Sequence, residues 1–346
     1  MKAATMLETA PLNTPTSTST PVPQEIAIAH QTLAAMRQEI EKVVVGQREV
    51  VNQVLIGLVA AGHVLIEGVP GLGKTLLVKA LACTFNGQFS RIQFTPDLMP
   101  SDVTGHTLFD PKNGEFTTRK GPVFANLLLA DEINRAPAKT QAALLEVMQE
   151  SQVTIEGHAF PLPAPFMVFA TQNPIEHEGT YPLPEAQLDR FLLKIRIDYP
   201  DAEEELALVR HVTAGSVGDR LNVDTMSTVT TPQALVRMQQ AAAALTVDEK
   251  IYDYAVRLTR ATRDADGHVS GFFSGAGPRG GIALIRAARA AALLGGRSFV
   301  TPDDVRDVAL AVLRHRVAPS PEMEIEGRGI DVSLNELFQR VEAPRS

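Results

Sequence analysis

The 346-residue sequence predicts an α/β protein. A core with a parallel five-stranded sheet is expected over residues 25–200, and an all-helical lid domain over residues 201–318. Three observations carry this. Short apolar runs alternate with helical patterns between about residues 60 and 198, as strand–helix–strand units require. One of those runs, Leu127 to Ala130, is apolar at every position, which suits a central parallel strand covered on both faces. After Asp201 the periodicity becomes helical and stays so.

Each element has a local reason. Residues 1–24 are rich in Thr, Pro, Ser and Ala with little to bury, and read as a disordered tail; periodicity begins at about Gln24. Val64-Leu65-Ile66 reads as a strand ending in glycine, and Lys74 to Phe85 as a helix with Leu76, Leu77, Ala80 and Leu81 at helical spacing. A short strand follows at Arg91 to Phe94. Residues 104–119 form a hairpin pattern around Asp110-Pro111-Lys112-Asn113-Gly114, since Asn-Gly is a strong turn signal. Lys139 to Glu150 is helical, and residues 153–162 repeat the hairpin pattern around Glu156-Gly157. Residues 165–173 and 192–200 supply the last two strands. Helices are expected at 202–213, 232–245, 247–264, 280–294 and 302–315. The last starts with Thr301 as cap, Pro302 at the first helical position and Asp304 closing a capping box. Residues 319–346 form a C-terminal tail. Within it, Ser333 to Val341 places Leu334, Leu337, Phe338 and Val341 near one face, a helix expected to dock on its own lid.

Composition excludes several classes. With 32 Lys+Arg against 40 Asp+Glu the net charge is −8, a poor basis for gripping duplex DNA over a broad face. The single cysteine, Cys83, rules out an internal disulfide framework and a cysteine-based zinc cluster; it reads as a small core side chain on a helix. No apolar run reaches the ~18 residues of a membrane span. The N-terminus lacks the apolar stretch of a secretory signal, so the reducing cytoplasm is the expected location.

The chemistry is concentrated in two motifs. Gly68-Val69-Pro70-Gly71-Leu72-Gly73-Lys74-Thr75 fits G-x-x-x-x-G-K-[ST] between a strand and a helix. Glycines let backbone N–H groups turn inward around phosphates, and the helix N-terminus adds partial positive charge. Lys74 would reach the β- and γ-phosphates, and Thr75 would offer its hydroxyl to Mg²⁺. Such a loop needs a carboxylate on a neighbouring strand, which Asp131 supplies as the metal-side acid. Glu132, one residue on, can act as general base toward a water in line with the γ-phosphate. No Asn-Lys-x-Asp segment reads guanine, which argues against GTP.

At this point the sequence resembles the AAA+ ATPases and, within them, the MoxR family. The resemblance rests on VVVGQREVVNQVLIGL, EGVPGLGKT, RIQFTPDLMPSDVTG, LLLADEINRAP, ATQNP, GTYPLPEAQLDRF and VTPDDV…LRHRV, and spans about residues 28–318. It implies ATP and Mg²⁺ as ligands, with Gly46 and Gln47 near the adenine and the loop through Leu76 around the nucleotide. It implies that Asn173 is sensor 1, orienting the attacking water. Arg190 matches the arginine finger, supplied by a neighbouring subunit, and Arg279 matches sensor 2, reaching the γ-phosphate from the helical domain. Hairpin 104–119 matches an insert shared with magnesium chelatase subunits and MCM helicases, whose tip would face a client; Phe109 and Phe116 are expected to pack across it.

The family further implies a homo-oligomeric, hexameric ring that remodels or matures protein partners, commonly with a von Willebrand A protein. Asp331-Val332-Ser333-Leu334-Asn335 does not fit the Asp-x-Ser-x-Ser metal-adhesion signature, so such a partner must be another chain. The alternative is a nucleic-acid motor or loader of the same clade. The net charge disfavours it, and Lys112, Arg119 and Lys120 are the only basic cluster in the first hairpin. The joint presence of Glu132, Asn173 and Arg190 points away from a scaffold that binds ATP without hydrolysing it.

Overall fold

The computed structural model describes residues 22–112, 114–173, 181–213, 223–263 and 271–344. The tail expectation for residues 1–21, Asn113 of the hairpin turn, and the last residue of the 247–264 helix lie outside that set. The chain opens with α1 (Pro23–Glu41) and α2 (Arg48–Val59), then β1 (Val64–Gly68), α3 (Lys74–Thr84) and β2 (Phe89–Gln93). A short α4 (Pro100–Thr104) leads into the hairpin β3 (Gly105–Asp110) and β4 (Glu115–Lys120). Next come β5 (Leu127–Asp131), α5 (Ala138–Glu150), the hairpin β6 (Gln152–Ile155) and β7 (His158–Pro161), β8 (Met167–Gln172), α6 (Glu185–Leu188) and β9 (Leu193–Ile197).

Beyond the sheet lie α7 (Ala202–Thr213), α8 (Pro232–Ala243), α9 (Glu249–Ala261), β10 (Phe272–Ser274), α10 (Pro278–Leu294) and α11 (Pro302–Leu313). The chain finishes with β11 (Ala318–Pro319), α12 (Pro321–Ile325) and α13 (Ile330–Arg340).

Five parallel strands make the central sheet in the order β2-β5-β8-β1-β9. Both faces are covered. Leu127 and Leu129 of β5 pack with Val64, Ile66 and Phe169 toward α1, α2 and α3, whereas Leu128 and Ala130 pack with Leu65, Val168 and α5's Leu144 and Leu145. That double coverage is why β5 is apolar throughout.

The order corrects one expectation. The strand carrying Asp131 is not the neighbour of β1; β8 lies between them. The sequence shows which strands exist, but parallel strands joined by crossovers need not pair in chain order.

The helical region packs α9, α10 and α11 into one core, with α8 lying against α10 and α2. Helix α9 buries Ile251, Tyr254, Ala255 and Leu258, one stripe at 3.6-residue spacing. Helix α11 starts as expected. The Thr301 hydroxyl accepts from the Asp304 N–H and the Asp304 carboxylate accepts from the Thr301 N–H at 2.8 Å. The region also holds a short antiparallel β10–β11 ribbon that its helical periodicity does not announce. Helix α13 docks on α11 through Leu334 and Phe338, both buried, as its amphipathic pattern suggests. Cys83 sits on α3, partly covered rather than buried. In the first hairpin Phe109 and Phe116 face one another, ring centroids 5.2 Å apart, and both remain exposed.

Candidate active site

Parallel strands give the sheet two chemically different edges. At the carboxyl edge, β1 ends in Gly68 and runs into the loop that opens α3. Gly71 and Gly73 have φ of +87° and +76°, a left-handed backbone that disfavours any side chain. A Cβ at either would meet nothing within 4 Å, so the loop encloses open space rather than packed side chains. Lys74 Nζ donates to the Gly68 carbonyl across the loop. Burial pushes its pKa down, opposed by the negative charges of Asp131, Glu132 and Glu67. Thr75 is the second residue of α3. Gln47 donates to Leu72 O at 3.3 Å, which ties the Gly46-Gln47 turn to the loop. Gly46 itself has φ +76°, and a Cβ there would lie 2.8 Å from the Glu204 side chain at the start of α7.

The acidic pair ends β5 at the same edge. The Asp131 carboxylate accepts from Arg91 Nη2 at 2.6 Å and from the Thr171 hydroxyl at 2.5 Å. The Thr171 hydroxyl oxygen in turn accepts from the Glu132 N–H at 2.8 Å. Glu132 has φ +55°, uncommon for a non-glycine residue. This turn aims its carboxylate away from the strand axis, where Gln93 Nε2 (2.7 Å) and Arg135 Nη1 (2.9 Å) donate to it. Asn173 follows β8, the strand between β1 and β5, and is buried. The structure therefore brings together Gly46, Gln47, the loop from Gly68 to Leu76, Asp131, Glu132 and Asn173.

The two arginines lie elsewhere. Arg190 precedes β9, and Leu192 N donates to His63 O at 2.8 Å just ahead of β1. Both belong to the amino edge of the sheet. Arg190 Nη1 donates to Leu145 O at 2.8 Å, and its Nε is buried with no partner among the described residues. Arg279 opens α10 and faces Asp189 at 3.7 Å. Asp189 also takes Arg316 Nε at 2.8 Å. Arg190, Arg279, Arg286 and Arg316 share one cavity of about 360 Å³, with Asp189 its single acid among the described residues. Strand β1 has five residues and rises roughly 3.3 Å per residue, so more than 10 Å of sheet separates this cavity from the chain's own phosphate loop.

Four participants escape sequence reasoning. Thr171, Gln93 and Arg91 acquire partners only through strand pairing. Arg316 is buried beside His315, from far along the chain. A hydroxyl two residues before Asn173 was the one signal that could have pointed to Thr171.

The residues fit a magnesium nucleotide. An open glycine cradle, a lysine, a hydroxyl and a carboxylate are hard oxygen and cationic donors suited to phosphate and Mg²⁺. Among the described residues no group of three His, Cys, Asp or Glu could hold a metal unaided.

Comparison with known proteins agrees with this architecture. Residues 63–193 match the family model described as ATPase family associated with various cellular activities (AAA), and residues 272–333 match the AAA lid domain. These define an AAA+ core followed by its lid. The chain is 46% identical over 320 residues to Chaperone MoxR1 of Mycobacterium tuberculosis, covering 89% of this chain and 81% of that one. It is 34% identical over 328 residues to Protein MoxR of Methylorubrum extorquens, covering 90% and 95%. A crystal structure of a Cytophaga hutchinsonii protein superposes with a TM-score of 0.85 at 41% identity, over 93% of this chain and 98% of that one. The chain belongs to the MoxR family of AAA+ ATPases.

Proposed function

We propose that the protein binds and hydrolyses Mg²⁺·ATP in a homo-oligomeric, hexameric ring and uses the cycle to remodel or mature a protein partner. The observation that carries this is the split of the machinery between the two sheet edges. The phosphate loop and its carboxylates stand at one edge, and Arg190 and Arg279 at the other. They serve one phosphate only when the arginines of one copy meet the loop of the next.

In that arrangement Lys74 and the loop N–H groups hold the β- and γ-phosphates, and Gly46-Gln47 borders the adenine. Thr75 and Asp131 would hold Mg²⁺, which would supply charge neutralisation at the phosphates. Glu132 takes the proton of the attacking water and Asn173 orients that water. Arg190 adds positive charge as the γ-phosphate departs, an effect worth about 10³–10⁵ in rate in other nucleotide hydrolases. Arg279 acts beside it from the same copy, so lid position reports on the neighbour's nucleotide. A relative named as a chaperone supports a client-directed role. The exposed tip of the β3–β4 hairpin is the surface offered to that client, and a von Willebrand A protein is a partner in trans.

The test mixes two inactive variants. Glu132→Gln is expected to retain ATP without turnover, and Arg190→Ala to bind ATP without hydrolysing it. Mixed rings restore phosphate release, because some interfaces pair an intact loop with an intact finger. If no mixing ratio turns over, the shared site is wrong.

A further inference from the structure

Two surfaces at opposite ends of the molecule complement one another. The first is α7, which leaves the carboxyl edge of β9 beside Gly46. Among its described side chains only Glu204 and Leu208 are partly covered; Leu206, Val209 and Val212 are each about half exposed, at 52, 53 and 50%. Glu205 lies one turn before Val209 on the same face, and Glu203 one turn before Leu206. The helix thus presents an apolar stripe with Glu203 and Glu205 beside its first half, and Arg210 is the one exposed cation among its described side chains.

The second is a groove of about 470 Å³ between α9 and α10, floored by the exposed apolar side chains of Tyr252, Val256 and Ile282. Arg260, Arg263, Arg286 and Arg289 rim it, and no acidic side chain lines it among the described residues. Arg289 is held by the Tyr252 hydroxyl at 3.2 Å, and Arg286 by the carbonyls of Ala60 and Ala61 at the amino edge. Ile282 and Arg286 also line the cavity of Arg190 and Arg279, so groove and finger form one continuous face.

We infer that α7 of one copy docks into the α9–α10 groove of the next copy, its stripe on Tyr252, Val256 and Ile282 and its glutamates on the arginine rim. The two surfaces stand at opposite edges of the sheet, so they meet between copies. That makes the contact head-to-tail, the kind that closes into a ring. It runs in the same sense as the pairing of Arg190 with a neighbour's phosphate loop, and it rests on the shared-site reading above. Glu204, at the foot of α7, touches the Gly46 turn, so the docked helix also braces the wall of the nucleotide site.

Crosslinking of the full-length chain tests this. In a Cys83→Ala background, Val209→Cys and Val256→Cys are prepared separately, loaded with ATP in the Glu132→Gln form, and treated with a short bismaleimide. Covalent dimers are expected in the mixture and not in either variant alone, because a head-to-tail contact is heterotypic. Val209→Arg, which sets a cation against the arginine rim, is expected to raise the concentration needed for ring assembly roughly tenfold or more. It lies on an exposed face, so circular dichroism and ATP binding by the monomer should match the parent. Heterotypic crosslinks with the matching assembly defect establish the contact. If mixed Glu132→Gln and Arg190→Ala rings turn over while no heterotypic crosslink forms, the docking is overturned and the shared site stands. If Val209→Arg rings assemble normally, the stripe carries no contact between copies and the inference fails. If neither turnover nor crosslinking appears, the shared site and the docking fall together.

Discussion

At the scale of single residues, the site is an arrangement of charges held in place by hydroxyls and turns. Thr171 shows this best: one hydroxyl bonds both the Asp131 carboxylate and the Glu132 N–H. Thr171→Val is expected to release Asp131 and relax the strained Glu132 turn, lowering kcat roughly tenfold or more while ATP affinity changes less; Thr171→Ser should restore most of the loss. Steady-state phosphate release with parallel nucleotide titration reads both. Lys74→Ala is expected to abolish nucleotide affinity instead, since in the proposed site Lys74 supplies the charge that would meet the phosphates. Lys74, Thr75, Asp131 and Glu132 were legible in the sequence because their spacing is short-range and chemically demanding. Thr171, Gln93 and Arg91 were not, because each finds its partner across a strand pairing.

Elements obey the same division. Periodicity shows β5, α5, α9 and α11, because each buries a continuous face. It also shows α13, but not what α13 does. Asp331 at its start takes Arg196 of β9 at 3.2 Å and Arg314 at the end of α11 at 3.3 Å, and Arg196 also approaches Glu67 beside the phosphate loop. Burial lowers the Arg314 pKa and Asp331 opposes that shift. Asp331→Ala strands a mostly buried guanidinium and is expected to cost about 1–3 kcal/mol, read as a lower urea midpoint at unchanged m-value. Its ATP affinity should fall by less than that of Lys74→Ala, because the link to the loop runs through two ion pairs. Residues 331–335 fail a metal-adhesion pattern; in the structure their acid is a lid clasp.

For the whole molecule, pH gives an independent check on the packing of the core against the lid. His63 accepts the Val168 N–H on Nδ1, leaving Nε2 to donate to Met148 O, and burial lowers its pKa to about 4. His315, buried against Phe191 O and beside Arg316, is held well below its usual value by burial and then by that charge. Both are neutral in the folded chain, whereas the unfolded chain protonates them near pH 6.5. Stability is therefore full above that pH and declines as pH falls, until about pH 4 for His63, where the folded state also takes up the proton. The His63 share is at most roughly 3 kcal/mol. Thermal melts from pH 7.5 to 4.5 should show the decline, and His63→Gln should flatten part of it.

Local pattern was enough for the strands of the central sheet and of both hairpins, for most helices, for the glycine loop with the acidic pair that ends β5, and for the family, because each depends on neighbours a few residues away or on a face of fixed period. The tertiary structure decided which strands adjoin, and so placed β8 with Thr171 and Asn173 between the loop and Asp131. It also decided that Arg190 and Arg279 gather at the edge opposite the loop. Chain order does not fix the order of parallel strands, and only that order tells which strand ends lie side by side at one edge of the sheet.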